Sequence, residues 1–288
     1  MKFDSKGDKV LGAVNYVVLS LAALICLLPF LNIFVSSFTS AEEIILRGFV
    51  LIPRNPTLSA YQHIFSTPVF LNSILNSVHI TVMGTFVSMI FTITMAYALA
   101  QKRLIHRSFF NFLVVFTMLF SGGMIPTYIL VVNLGLIDSY WALWLTGAVN
   151  AFNMILLKNF FMKVPAELSE SARIDGANEF HILVRIMLPV SLPAIATFSL
   201  FYAVGYWNIF FSALLYIHDP ARFPIQILLR NIVILASGGF AESDPDVVIP
   251  SETLKMAVII VSTIPILCVY PFLQRYFTKG IMVGSLKG

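Results

Sequence analysis

Apolar positions dominate this chain in long unbroken blocks. Six runs contain no Asp, Glu, Lys or Arg: Val10 to Ala41, a core of about Asn72 to Ala100, Ser108 to Ile137, Ser139 to Leu157, Ile186 to Ile217, and Met256 to Gln274. A helix rises about 1.5 Å per residue, so roughly 20 apolar residues cross a hydrocarbon core. Each run is long enough to do so with some tilt. The pattern predicts an all-α integral membrane protein with six transmembrane helices in a single domain over residues 1–288. The first run exceeds the 7–15 apolar residues of a removable signal peptide and is expected to stay as an anchor.

Composition points the same way. Hydrophobic residues make up 58% of the chain and charged residues 11%, with a mean hydropathy of +0.89, whereas soluble domains carry about 25% charged residues. Of the 18 Lys and Arg, only Arg47, Arg54, Arg222, Arg230 and Lys255 fall in segments that would lie outside if the amino terminus is inside. The asymmetry predicts both termini in the cytoplasm. The net charge of +4 is therefore topological, and the basic residues form no stripe suited to nucleic acid. Tyr140, Trp141 and Trp144 fall at the expected outer end of the fourth run, as an interfacial aromatic belt would.

Site chemistry is sparse. Cys26 and Cys268 lie inside apolar runs without metal-ligand spacing, and the five His residues form no metal-binding pattern. No phosphate loop or dinucleotide fingerprint is present. The expectation is no metal, no catalytic residue and no cofactor held by this chain. An integral-membrane enzyme would need a convergent nucleophile, acid–base pair or metal, and an ion-coupled carrier would need ionisable groups within its spans, where His79 is the clear one.

Two expected outer segments are long, at about 39–71 and 218–252, and rich in proline. Long connections are usually functional or disordered. Phe223 to Leu235 is apolar enough for a short strand or helix, and Glu242, Asp244 and Asp246 form an acidic patch. A lip that meets an external partner and a solvated linker both fit.

Between the fourth and fifth runs lies a charged segment, Glu170 to Pro189, ESARIDGANEFHILVRIMLP. Pro165 suits the start of a helix, Glu167 and Glu170 favour its amino-terminal end, and Gly176 can leave it with positive φ. From Asn178 onward, Phe180, Ile182, Leu183, Ile186 and Met187 recur at near-helical spacing until Pro189 and Pro193 interrupt or bend the chain. The segment therefore predicts a helix, an elbow and a second helix.

This segment fits E-A-A-x3-G-x9-I-x-L-P at every fixed position except Ser171, and it resembles the EAA loop of the membrane-spanning subunit of ATP-binding-cassette importers. With Tyr206-Trp207-Asn208-Ile209-Phe210-Phe211-Ser212-Ala213-Leu214 and the terminal Lys287-Gly288, the chain resembles the smaller permease of maltose-type carbohydrate importers. Ser121 to Ser139 looks like the branch that serves oligosaccharides cut from complex polysaccharides. The resemblance implies a type I importer permease architecture in a bacterial cytoplasmic membrane. A second homologous permease, two ATPase subunits that hold ATP and Mg, and an extracytoplasmic sugar-binding protein would be its partners. Glu170, Ala172, Asp175 and Gly176 would couple to the ATPase, with Ser171 in the place of an Ala, and Leu188-Pro189 would begin the helix that carries the motion. The tail from Arg275 to Gly288 resembles tails that reach the ATPase. For the substrate path, Tyr206, Trp207, Asn208 and Phe210 offer aromatic faces and an amide, with Asn150 and Asn153 as further candidates. Span packing would use the same residue types. An acidic sugar could meet Lys158, Arg222 or the second permease. A permease of this type for amino acids, phosphate or metal stays open, since the EAA loop does not discriminate cargo.

Overall fold

A computed structural model describes residues 6–236 and 251–285. In chain order its helices are α1 (Lys6–Ser36), α2 (Ala41–Arg47), α3 (Ser59–Ser66), α4 (Pro68–Ala100), α5 (Arg107–Leu119), α6 (Met124–Asn133), α7 (Tyr140–Thr146) and α8 (Ala151–Phe161). They continue with α9 (Ala166–Ile174), α10 (Glu179–Ile182), α11 (Leu188–Val190), α12 (Leu192–Trp207), α13 (Phe211–Tyr216), α14 (Ile225–Ala236) and α15 (Glu252–Ser285). Among the described residues β pairing is confined to one isolated bridge, Thr39 with Pro56. The acidic patch at Glu242, Asp244 and Asp246, the terminal Lys287-Gly288, and the side chains of the tail lie outside the described residues.

Two of the expected spans are single rods, Lys9–Ser36 and Pro68–Ala100. Three are bent pairs: α5 with α6 at 114°, α7 with α8 at 54°, and Glu179–Val190 with α12 at 86°. The sixth apolar run lies within α15. The runs Ser108 to Ile137, Ser139 to Leu157 and Ile186 to Ile217 are thus each built on a bent helix pair, the third bending between Pro189 and Pro193 as expected. At the first break Gly123 has φ +89, a conformation that costs any side chain dearly. At the last, α11 ends at Val190 and α12 starts at Leu192.

One compact unit comprises 1–68 and 229–263, and the other comprises 69–228 and 264–288. In the first, the surface of α1 is apolar and unburied by the chain itself, as suits a helix facing lipid or another subunit. The segment after it is built around Glu43. Its buried carboxylate accepts hydrogen bonds from the backbone N–H groups of Arg54 and Asn55, at 3.0 Å each, and from Arg47. Burial opposes ionisation there, yet these donors outweigh it and hold the carboxyl below its ordinary range. The long outer segment expected at 39–71 therefore contains α2, α3 and an ordered turn.

In the second unit the core gathers around α4, α7, α8 and α12, with Ile80, Leu143, Met154 and Leu157 fully buried. Trp144 is part of this core. Only 5% of it is exposed, and its indole N–H donates to the Ile80 carbonyl at 3.2 Å. That placement removes Trp144 from the expected interfacial belt, because a buried indole needs a fixed acceptor and finds one inside the bundle. His79 packs its ring 5.5 Å from that of Trp144 and 5.6 Å from that of Tyr140. Asp138, at φ +56, ties the turn before α7 to the segment after α13. Its carboxylate accepts from the backbone N–H groups of His218 and Asp219, and its carbonyl accepts from Arg222. Those backbone donors lower its carboxyl pKa, against the smaller effect of burial.

Candidate functional site

The charged loop folds as a helix, an elbow and a second helix. Pro165 caps α9 from just outside it, with φ −54 and ψ 131. Helix α9 closes in a two-bond stop: the N–H of Ala177 donates to Ala172 O at 2.9 Å and that of Gly176 to Arg173 O at 3.0 Å, with Gly176 at φ +84. This is the arrangement a left-handed glycine after a helix makes possible. Asn178 then starts α10, its side chain accepting from the His181 N–H at 2.8 Å. Glu170, Ser171, Asp175 and Gly176 are exposed, and Ala172 is half-buried against the core. The Ser171 hydroxyl turns back to Glu167 O at 2.8 Å, so it covers its own helix and presents little that an alanine would not.

Past α10 the backbone widens into a π segment over Leu183–Met187 before α11. Pro189 explains it: proline has no N–H to give Arg185 O, and its ring crowds that carbonyl, so a wider turn relieves both. The helix then bends by 86° at Ser191 into α12. Leu188 and Pro189 thus sit on the limb that joins the loop to α12.

A cavity of about 510 Å³ opens in the same unit, lined by residues from the breaks and ends of α6, α7, α8, α12 and α13. Its polar wall includes Ser121, Thr127, Thr146, Asn150, Asn153 and Ser212, and its aromatic wall includes Phe201, Tyr202, Tyr206, Phe211 and Tyr216. Among the described residues no charged side chain lines it. Of the residues proposed for a path, Tyr206, Asn150 and Asn153 are brought together here. Trp207 is buried away from the cavity, Asn208 folds its amide onto Val204 O at 2.9 Å, and Phe210 packs half-buried on the core.

Tyr206 is also a structural keystone. Its ring lies across Gly84, where an added Cβ would come within 2.8 Å of it, and its hydroxyl would stand 3.1 Å from a Cβ at Gly147. With the Ser88 proton donated to Gly147 O, the same hydroxyl donates to Ser88 at 2.8 Å and lies 3.3 Å from Trp144 O. One turn earlier, Tyr202 pairs with Thr92 at 2.7 Å and accepts the Asn150 N–H at 2.8 Å. The break between α7 and α8 leaves backbone groups without helical partners, which hydrocarbon cannot solvate. The hydroxyls of Tyr202 and Ser88 supply partners. Tyr202 was not singled out from the sequence, although its spacing of one turn from Tyr206 was a readable sign. Asn150 caps α8 by accepting the Asn153 N–H at 3.0 Å. Lys158 lies off the cavity and donates to Asn111 at 2.6 Å, and Arg222 is engaged with Asp138 and Asp219.

Residues 88–283 match a known family, that of the binding-protein-dependent transport system inner membrane component. The chain belongs to that family. It is a membrane-spanning permease of an ABC importer, a transport subunit and not an enzyme; ATP is handled by a partner ATPase. Among similar proteins is the polygalacturonan/rhamnogalacturonan transport system permease protein YtcP of Bacillus subtilis (strain 168), 54% identical over 98% of this permease and 99% of that protein. Protein LplC of the same organism is 50% identical over 99% and 97%. In structure, the permease is similar to a chain of a bacterial ABC transporter involved in the import of the acidic polysaccharide alginate. The TM-score is 0.87 and the identity 34%, covering 96% of this permease and 100% of that chain.

Proposed function

We propose that this permease moves oligosaccharides derived from complex polysaccharides, delivered by an extracytoplasmic sugar-binding protein. The observation that carries the reading is the uncharged cavity, whose hydroxyls, amides and aromatic faces suit a polyhydroxylated ligand. The substrates named for the YtcP protein and the alginate transporter support it. A bare anion or a metal ion would find no counter-charge there. Carboxylates of an acidic sugar would be met by a second, homologous permease, across which the path continues.

Two ATPase subunits would complete the importer, docking on a knob formed by Glu170, Ser171, Ala172, Asp175 and Gly176. Motion would pass through Leu188-Pro189 into α12. Both termini would lie in the cytoplasm, and the chain would act as a single translocation domain over residues 1–288.

The test is ATP hydrolysis and uptake by the reconstituted complex with its binding protein. Oligogalacturonides or related oligosaccharides should stimulate both, and amino acids and phosphate should not. Gly205 lines the cavity and a Cβ there would touch nothing within 4 Å, so Gly205→Leu should narrow the path while the complex still assembles. The expected result is a loss of uptake of about tenfold or more, larger for longer oligosaccharides. Stimulation by amino acids and by no sugar would reject the reading.

A further inference from the structure

Glu179 is no part of the loop pattern that identifies the family, yet more side chains converge on it than on any other group in the loop. Its carboxylate accepts the Tyr97 hydroxyl at 2.7 Å and Arg173 Nε at 3.0 Å, and it is paired with Arg103. Arg173 also reaches Gln101, at 3.3 Å. Arg173 belongs to α9 and Glu179 to α10, while Tyr97 belongs to α4 and Gln101 and Arg103 to the turn that follows it. One acidic group therefore bonds both limbs of the elbow to each other and to the foot of α4.

Two features make this a firm joint. The carboxyl is partly buried, which opposes ionisation, but the hydrogen bonds from Arg173, Tyr97 and Arg103 bring its pKa down to about 2. It stays ionised throughout the physiological range. Ionised acceptors with several donors also make the stronger class of hydrogen bond. The second feature is what α4 carries farther along: Gly84, Ser88 and Thr92, four residues apart and so on one face, hold Tyr206 and Tyr202 at the cavity wall.

We infer that Glu179 is a positioning residue that gives the coupling loop a second output, linking its displacement through Tyr97 and Arg103 to α4, alongside the peptide connection through Leu188-Pro189 to α12. The inference rests on the loop being the lever of the importer. With the peptide connection alone, α12 would move and leave α4 behind, shearing the Ser88–Tyr206 and Thr92–Tyr202 pairs. With the joint in place, the two helices move together and the cavity wall stays whole as access changes.

The experiment compares sugar taken up per ATP hydrolysed in the reconstituted complex for Tyr97→Phe, Glu179→Gln, the double variant and Gly176→Val, with assembly followed by co-purification. Tyr97→Phe removes one oxygen, so it reads the joint even if Glu179→Gln fails to assemble. Each single variant should lower uptake per ATP by about threefold or more while the complex still forms. The double variant should be no worse than Glu179→Gln alone, since the two groups act through one link. Wild-type uptake per ATP in Tyr97→Phe and in any Glu179→Gln complex that forms, with uptake abolished by Gly176→Val, would overturn the joint and leave the lever standing. Effects that multiply in the double variant would also overturn it. Normal uptake in Gly176→Val would instead remove the lever itself.

Discussion

At the scale of single residues, glycine does three separate jobs here, and the sequence disclosed only one. Gly176 was legible because its distance from Glu170 and from Leu188-Pro189 is local, and its φ of +84 is the conformation a helix stop demands. Gly84 was not, because the ring it accommodates belongs to Tyr206, far along the chain, and no local pattern announces a tertiary close approach. Gly205 is different again, opening onto space. These differences separate in measurement. In Gly84→Ala the new methyl would come within 2.8 Å of a ring whose hydroxyl is fixed by Ser88 and Trp144, so the ring has little freedom to retreat. Overpacking of this kind costs about 1–3 kcal/mol and should lower the apparent Tm of the purified complex in detergent. Gly205→Ala, with nothing within 4 Å, should leave Tm unchanged. An unshifted Tm for Gly84→Ala would mean that Tyr206 is not held as described.

At the scale of elements, the charge-free runs located the spans but did not reveal their shape. A run free of Asp, Glu, Lys and Arg records where hydrocarbon is tolerated, and a helix bent by 54° or 114° satisfies that condition as well as a straight one. The bends depend on whether freed backbone groups find partners, and those partners come from other elements. The Asn150 N–H is satisfied by Tyr202 on α12 and the Gly147 carbonyl by Ser88 on α4. Proline was the readable exception, since Pro189 alters its own helix. The same separation explains the candidate path: aromatic and amide residues of the fifth run were visible, but which of them face the cavity depends on where α12 stops. Tyr202→Phe tests the element-level account. It keeps the ring and removes the acceptor of a backbone N–H at a break in a span, which should cost about 1–3 kcal/mol. The complex should unfold at a lower temperature, whereas Asn208→Ala, whose amide among the described residues bonds its own helix, should change stability by less. Equal effects would mean that the break is not stitched by α12.

At the scale of the whole molecule, orientation decides whether the loop and the cavity can be parts of one machine. A lever worked by ATP must face the cytoplasm, and a binding protein must approach the opposite face, so residues 164–189 and the turn around Asp219 should be reached from opposite sides. The distribution of Lys and Arg predicts this, since the outer segments hold only Arg47, Arg54, Arg222, Arg230 and Lys255. The structure supplies suitable reporters. Ile174 is 87% exposed at the end of α9 and Ala221 is exposed beside Asp219, so neither substitution disturbs packing. Cys26 and Cys268 are exposed and must first be replaced. In that background, Ile174→Cys should react with a membrane-impermeant maleimide only in inside-out vesicles, and Ala221→Cys only in intact cells or spheroplasts. Binding of the ATPase subunits should protect Ile174→Cys and leave Ala221→Cys untouched, because only the loop would lie beneath them. Reaction of Ile174→Cys from outside would reverse the molecule and remove both the lever and the joint at Glu179. Unprotected labelling from inside would keep the topology and move the docking site off α9.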